Sequence, residues 1–212
     1  MITHISFDLD GTLVNEKFDK IIWHEEIPKL FAEKNNIDIE TATNMVYAEY
    51  YRGAFIDKVD RWTDISYWFD RLGLDGWNTL MVNMKKHILV YDDTLKMFEQ
   101  LSARKYKLII ISNAEEKFLD MKLEAEGLKK HFSSVFSAQS TFGVRKKNKE
   151  IFMKVLERLG IKPENMIHVG NDRYLDLEVP SSVGIKSFLL DRTGKTKGDN
   201  VIHSLDELVG KV

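Results

Sequence analysis

The sequence predicts an α/β protein: an open parallel sheet covered by helices on both faces, interrupted by an all-helical insertion. Three observations carry that prediction. From about residue 92 onward, short apolar strand patterns alternate with helical stripes. One more strand pattern stands at the start of the chain and ends in a polar turn like the later ones. Between them no strand pattern appears from about residue 15 to residue 87, and all four tryptophans (Trp23, Trp62, Trp68, Trp77) lie in that stretch. The expected layout is a core of residues 1–14 and 92–212 and a helical insertion of residues 15–91.

The elements follow in order. Residues 2–7 are rich in β-branched and apolar side chains and stop at Asp8-Leu9-Asp10-Gly11, which reads as a buried strand and its turn. Trp23, Ile27, Leu30 and Phe31 then make a helical stripe, with Pro28 expected to kink or restart it. Three further stripes are Ala42, Met45, Val46, Tyr50; then Ile65, Trp68, Phe69, Leu72; then Trp77, Leu80, Met81, Met84, Ile88. After Asp92 the expected order is helix 95–104, strand 107–112, a helix through Phe118 and Met121 ended by Gly127, and strand 135–138. A helix on Ile151, Phe152, Val155, Leu156 and Leu159 follows, then strands 166–169 and 187–190. Ser204 to Glu207 is a capping-box pattern opening a last short helix.

Composition narrows the function classes. The chain has 212 residues, long enough for one large domain or one domain carrying an insertion. It has no cysteine, which excludes a disulfide scaffold, a zinc–thiolate site, an iron–sulfur cluster and a thiol nucleophile. With 31 Lys+Arg against 33 Asp+Glu, it lacks the basic excess of a non-specific nucleic-acid binder. Its apolar runs are short and its N-terminus has no basic, then apolar, leader pattern. The expectation is a cytoplasmic protein with no nucleic-acid and no membrane partner.

Candidate chemistry collects after strands, where open parallel sheets bind ligands. Asp8 and Asp10 follow the first strand, Ser112 and Asn113 the second, and Gly170-Asn171-Asp172, with Asp176 beyond, a later one. Two carboxylates two residues apart repel unless a cation neutralises them or one is protonated. Hard oxygen ligands without thiols favour Mg²⁺ over zinc. Ser112 and the turn after it suit an anion, and Ser112 or Asn113 suits a helix N-cap. Arg145, Lys146, Lys147 and Lys149 precede a well-striped helix, and spacing alone does not choose among them. His168 reads as a packed strand residue. Thr193-Gly194-Lys195-Thr196 reads as a surface turn, since it lacks the earlier glycine of a P-loop.

Four segments together resemble the haloacid dehalogenase-like superfamily, and its phosphatases in particular. They are Phe7-Asp8-Leu9-Asp10-Gly11-Thr12-Leu13-Val14, Ile111-Ser112-Asn113-Ala114, Gly143-Val144-Arg145-Lys146 running on to Ile151-Phe152, and His168-Val169-Gly170-Asn171-Asp172 with Asp176. The resemblance implies a Rossmann-like core, a helical cap between the first and second segments, and phosphoryl transfer through an aspartyl-phosphate. It implies Asp8 as nucleophile, Asp10 as general acid and base, and Thr12, Ser112, Asn113 and Lys146 around the phosphoryl group. It also implies Mg²⁺ on Asp8, the Asp10 carbonyl and the fourth segment. Two departures stand out: Lys147-Asn148-Lys149 replaces the usual Pro-Asp-Pro, and Asn171 stands where Asp is usual. Charge then favours Asp172 as metal ligand, with Asn171 and Asp176 in support. The expected function is a Mg²⁺-dependent phosphatase of a small phosphorylated metabolite. The alternatives are a sugar phosphomutase of the same superfamily and a non-catalytic binding module. A dehalogenase of this superfamily would lack the second aspartate.

Overall fold

The computed structural model describes residues 1–102 and 104–212, and the chain divides into two compact units. One comprises Met1–Asn15 and Val90–Val212, the other Glu16–Leu89. The first is a six-stranded parallel sheet flanked by helices. Its strands are β1 (His4–Phe7), β2 (Lys107–Ser112), β3 (Ser134–Ser137), β4 (Met166–Gly170), β5 (Lys186–Leu190) and β6 (Val201–Ile202). They lie in the order β3-β2-β1-β4-β5-β6. The chain thus runs outward on one side of β1, then returns to its other side with β4. That reversal makes the β1–β4 boundary the switch point of the sheet. Phe7 lies opposite Ile110 on one side and Val169 on the other, and the Asp8 N–H continues the ladder to the Val169 carbonyl at 2.9 Å.

The strands read as apolar runs because both faces are covered. β1 and β4 are buried throughout, and β2 is buried from Leu108 onward. Ile109, Ile111, Phe136 and Met166 from the sheet pack with Ile151, Phe152, Val155 and Leu156 of the Lys149–Leu159 helix. Asn148 caps that helix by accepting the Ile151 N–H at 3.0 Å. The two-residue strand β6 is too short to leave a pattern in the sequence. The helix expected over 95–104 runs over Asp92–Ser102; Ala103 lies outside the described residues. The helix expected to end at Gly127 stops at Glu124, because Glu126 and Gly127 both take positive φ.

The Glu16–Leu89 unit is helical throughout, with no strand among its described residues. Its first helical stretch passes through a wide turn at Ile22–Glu26, where the Ile27 N–H reaches the Ile22 carbonyl five residues back. Pro28 follows in the first turn of Ile27–Asn35 and donates no N–H, and the Trp23 carbonyl upstream accepts the Tyr50 hydroxyl at 3.4 Å. The helices Ile39–Tyr51 and Ile65–Leu72 start on capping aspartates, Asp38 and Asp64. Ile65, Trp68, Phe69 and Leu72 are buried together, as their spacing requires. Among the described residues, no helix of either unit is long and apolar enough to cross a membrane.

Candidate active site

The candidate residues gather at the carboxyl ends of β1, β2 and β4. Asp8 is the first residue after β1 and is buried. Its Oδ1 accepts from the Lys147 ammonium at 2.6 Å, and the same ammonium donates to Asp176 Oδ1 at 2.5 Å. All three side chains are nine-tenths or more buried. Asp176 is further held by the Asp172 N–H on Oδ2 at 3.0 Å and by His168 Nε2 at 3.1 Å. A side chain at position 170 would run into the Asp176 carboxylate, so Gly170 is what lets that carboxylate lie against the backbone.

Lys147 is placed by its neighbours in sequence. Its own N–H donates to Asn113 Oδ1 at 2.7 Å, and the next residue, Asn148, is the N-cap of the following helix. The loop is pinned on both sides of the lysine. Lys146, the residue aligned with the superfamily lysine, is exposed instead. It lines an open pocket of about 490 Å³ with Arg145, Asp172 and Tyr174. The expectation of Lys146 beside Asp8 is therefore corrected by one residue. Without Pro-Asp-Pro, nothing in the sequence fixes the turn, and the Asn148 cap decides which lysine turns inward.

Asp10 lies two residues beyond Asp8 and is partly exposed. Its Oδ1 accepts from the Lys122 ammonium at 2.5 Å. Lys122 is completely buried, and its ammonium lies 5.5 Å from the Phe118 ring centre. Sequence reasoning missed Lys122, which sits in a charged helix that reads as solvated. The one usable signal was its position four residues after Phe118, on the buried stripe.

The Ser112 hydroxyl oxygen accepts the Ala114 N–H at 3.1 Å in the turn after β2. Neither Ser112 nor Asn113 caps the next helix; Glu115 does. The Thr12 hydroxyl is buried and donates to Asn171 Oδ1 at 3.4 Å. The Asn171 side chain also lies against Gly11, which takes a φ of +75°. So Asn171, and not Asp172, reaches the Gly11–Thr12 turn after β1. Asp172 uses Oδ1 to cap its own helical turn through the Leu175 N–H at 2.8 Å.

A model of the haloacid dehalogenase-like hydrolases matches residues 2–184. The chain belongs to that family. It is 27% identical over 182 residues to a GMP/IMP nucleotidase of Escherichia coli, covering 86% of this chain and 79% of the relative. It is 28% identical over 230 residues to a glyceraldehyde 3-phosphate phosphatase of Methanocaldococcus jannaschii, covering 99% and 96%. The solved structure of a phosphatase of the same family from Thermococcus onnurineus superposes with a TM-score of 0.85 at 25% identity, over 99% of this chain and 97% of that one.

The electrostatics of this hydrolase site follow from burial. Burial pushes the Asp8 carboxyl up, to about 7; Lys147 opposes the shift, while Asp176 and Asp10 add to it. Burial also acts against the Asp176 charge, but Lys147 and His168 outweigh it and hold that carboxyl below the usual range. Burial lowers the Lys147 ammonium, and the two carboxylates more than restore it. Burial pulls the His168 imidazole down, and Asp176 opposes the shift. His168 Nδ1 lies 2.7 Å from the Ser6 hydroxyl, which also reaches the Ile167 carbonyl at 3.2 Å, while Nε2 faces Asp176 at 3.1 Å.

The residues present fit a hard cation. Asp8, Asp10 and Asp176 bring three carboxyl groups against two ammonium groups. Asp8 spends Oδ1 on Lys147, and both nitrogens of His168 are engaged. The donors that remain are carboxylate, amide and backbone oxygens, the set Mg²⁺ prefers. Among the described residues no three His, Asp or Glu side chains converge as a cage.

Proposed function

We propose that this chain is a Mg²⁺-dependent phosphatase that hydrolyses a small phosphorylated metabolite through a phosphorylated Asp8. The observation that carries the reading is the buried Lys147 ammonium bridging Asp8 and Asp176, with Asp10 two residues on. An oxygen of Asp8 attacks phosphorus and the bond from phosphorus to the ester oxygen breaks. Asp10 gives its proton to the departing oxygen, then takes one from the water that attacks the acyl phosphate. Phosphate leaves and the Asp8 carboxylate returns. Lys147 fixes the direction of the Asp8 carboxylate and faces the phosphoryl charge with a cation that burial keeps unscreened. Ser112 and Thr12, at the ends of the same strands, are the further candidates for phosphoryl contact.

A bound Mg²⁺ would be held by Asp8, the Asp10 carbonyl and the Asn171–Asp172 segment, and would supply positive charge against the phosphoryl oxygens. The relatives named as a nucleotidase and a phosphatase support hydrolysis of a phosphate ester. The presence of Asp10 supports it over dehalogenation, which has no leaving oxygen to protonate. We take the helical Glu16–Leu89 unit as the family's cap.

The test is phosphate release from a panel of phosphorylated metabolites with and without Mg²⁺, followed by mass spectrometry for a trapped phosphoryl group on Asp8. Mg²⁺-dependent turnover that vanishes in Asp8→Asn supports the reading. Turnover that persists in that variant overturns it.

A further inference from the structure

The helix Glu116–Glu124 carries a completely buried lysine, Lys122, to which the reaction above gives no task. Phe118, Leu119 and Leu123 are buried on the same helix, so its apolar face turns inward and takes Lys122 with it. Packing alone does not call for a charge there. A buried ion pair is commonly no more stable than well-packed apolar residues of the same volume, because both ions lose their water. The Lys122 ammonium nevertheless donates to Asp10 Oδ1 at 2.5 Å, across 112 positions of sequence.

Two constraints meet at Asp10. Its backbone stands in the tight turn after β1, closed by the Gly11 N–H on the Val14 carbonyl at 2.7 Å and the Leu13 N–H on the Leu9 carbonyl at 2.9 Å. The turn sets where the side chain starts, and Lys122 sets where it ends. The neighbouring carboxylate is held in the same way from another part of the chain, since Asp8 Oδ1 accepts from Lys147 at 2.6 Å. Each aspartate thus has a cation of its own on Oδ1. The Asp10 side chain is 23% exposed and that of Lys122 is closed off completely. A substrate can meet the first and not the second.

Resting on the phosphatase reading above, we propose that Lys122 is the positioning residue of Asp10: it holds Oδ1 so that Oδ2 meets the departing ester oxygen. As the Asp8 oxygen bonds to phosphorus and the ester oxygen leaves it, Oδ2 gives that oxygen its proton. Oδ2 then recovers a proton from the water that attacks the acyl phosphate. Oδ1 stays on the ammonium throughout, and Lys122 gains and loses no proton. The need for such a hold is geometric. A general acid works only within hydrogen-bond reach of the atom that it protonates, and a misplacement of about 1 Å can cost about 10²-fold.

The test is kcat/KM of the full chain on 4-nitrophenyl phosphate, whose leaving group needs little protonation, and on the fastest alkyl phosphate of the metabolite panel. Lys122→Met is expected to lose about 10²-fold on the alkyl ester and less than about tenfold on the aryl ester. Added to Asp10→Asn, it should cost less than about twofold more, because the group that it positions is already gone. Where Lys122→Met fails to fold, Lys122→Arg, which keeps the charge and shifts it, is expected to show the same split at about tenfold. The chain has no cysteine, so the thiol of Lys122→Cys can be alkylated in urea and the chain refolded. Treatment with 2-bromoethylamine rebuilds a side chain of lysine's length with its ammonium, and 1-bromopropane builds the same length without it. Aminoethylation should restore most of the loss on the alkyl ester, and propylation should not. Equal losses on the two esters, a Lys122→Met loss that adds in full to that of Asp10→Asn, or propylation that restores as much as aminoethylation would leave Lys122 a stability role alone and overturn the proposal. These outcomes are read on a wild type that turns over both esters. A wild type that releases phosphate from neither ester overturns the phosphatase reading, and the role of Lys122 with it.

Discussion

The two units of this chain solve different physical problems. In the α/β unit the candidate site side chains are charged and mostly buried, and they are fixed by strand ends and capped turns. Asp8 follows β1, Asp176 lies against Gly170, and Lys147 is locked between Asn113 and Asn148. In the helical unit the conspicuous residues are large rings, set by packing and by backbone carbonyls. A buried charge tolerates almost no substitution, because an unpaired partner is left behind. A ring contact is one of many ways to cover the same area. A buried charge cluster therefore leaves a spaced signature in the sequence, and ring packing leaves only composition.

The comparison breaks first at Asp8. Asp8→Asn is expected to lower turnover by about 10⁵–10⁶-fold, the scale of losing a covalent nucleophile, with the melting curve still cooperative. Steady-state phosphate release alongside circular dichroism measures both. A variant that turns over at a tenth of the normal rate would show that the α/β unit does not concentrate its chemistry at that residue. Asp10→Asn comes next, at about 10²–10⁴-fold on alkyl phosphates. The loss on aryl phosphates should be smaller, since their leaving groups need less protonation. Equal losses on both would assign Asp10 to holding Lys122 in place, the ion pair that the structure shows.

What the sequence made legible follows the same divide. Five of the six strands, and the all-helical character of residues 16–89, were readable, because buried parallel strands are near-continuous apolar runs and helical stripes repeat. β6 was not, since two residues carry no period. Asp8, Asp10 and Asp176 were readable as clustered carboxylates. Lys147 was hidden among Arg145, Lys146 and Lys149, because a side chain's inward turn depends on a cap one residue away. Lys122 was hidden because its burial depends on Asp10, 112 positions earlier in the chain. The sequence points to a kink or restart at Pro28, whereas the wide turn lies ahead of it at Ile22–Glu26 and depends on the Ile22–Ile27 bond, which no local pattern specifies.

Matched deletions sharpen the contrast between the units. Lys147→Met leaves Asp8 and Asp176 facing each other without their cation, and should cost about 3–5 kcal/mol of stability, as breaking a buried pair does. Lys146→Ala, on an exposed side chain, should stay within about 0.5 kcal/mol. Trp68→Ala in the helical unit should also cost about 3–5 kcal/mol, by opening a hole. The two large losses differ in character. Mg²⁺ should partly restore the Lys147→Met melting temperature and leave Trp68→Ala unmoved. Equal stability of Lys146→Ala and Lys147→Met in urea titrations would return the lysine to its aligned position.

The smallest expected effect concerns the metal-facing segment. Charge alone favours Asp172 as the Mg²⁺ ligand, because an amide oxygen is a weaker donor to a hard cation. Geometry argues for Asn171. Its side chain lies against Gly11 and accepts the Thr12 hydroxyl, so it already reaches the turn after β1, while Asp172 is engaged as a helix cap. The substitution that separates these is Asp172→Asn, because asparagine caps a helix about as well as aspartate. It removes the charge and keeps the Leu175 bond, so any rise in the Mg²⁺ requirement reports the charge alone. Loss of a group that orients a metal site typically weakens binding by about 10–100-fold. Asn171→Ala should reach or exceed that range, and Asp176→Asn should fall within it, since Asp176 acts through Lys147. Asp172→Asn should be close to silent, and Asn171→Asp should tighten Mg²⁺ by restoring an anionic oxygen at the same place. Activity titrated against Mg²⁺ in the four variants ranks them. If Asp172→Asn proves the most damaging, the segment turns one residue further when the ion binds, and the charge of Asp172 has outweighed its cap.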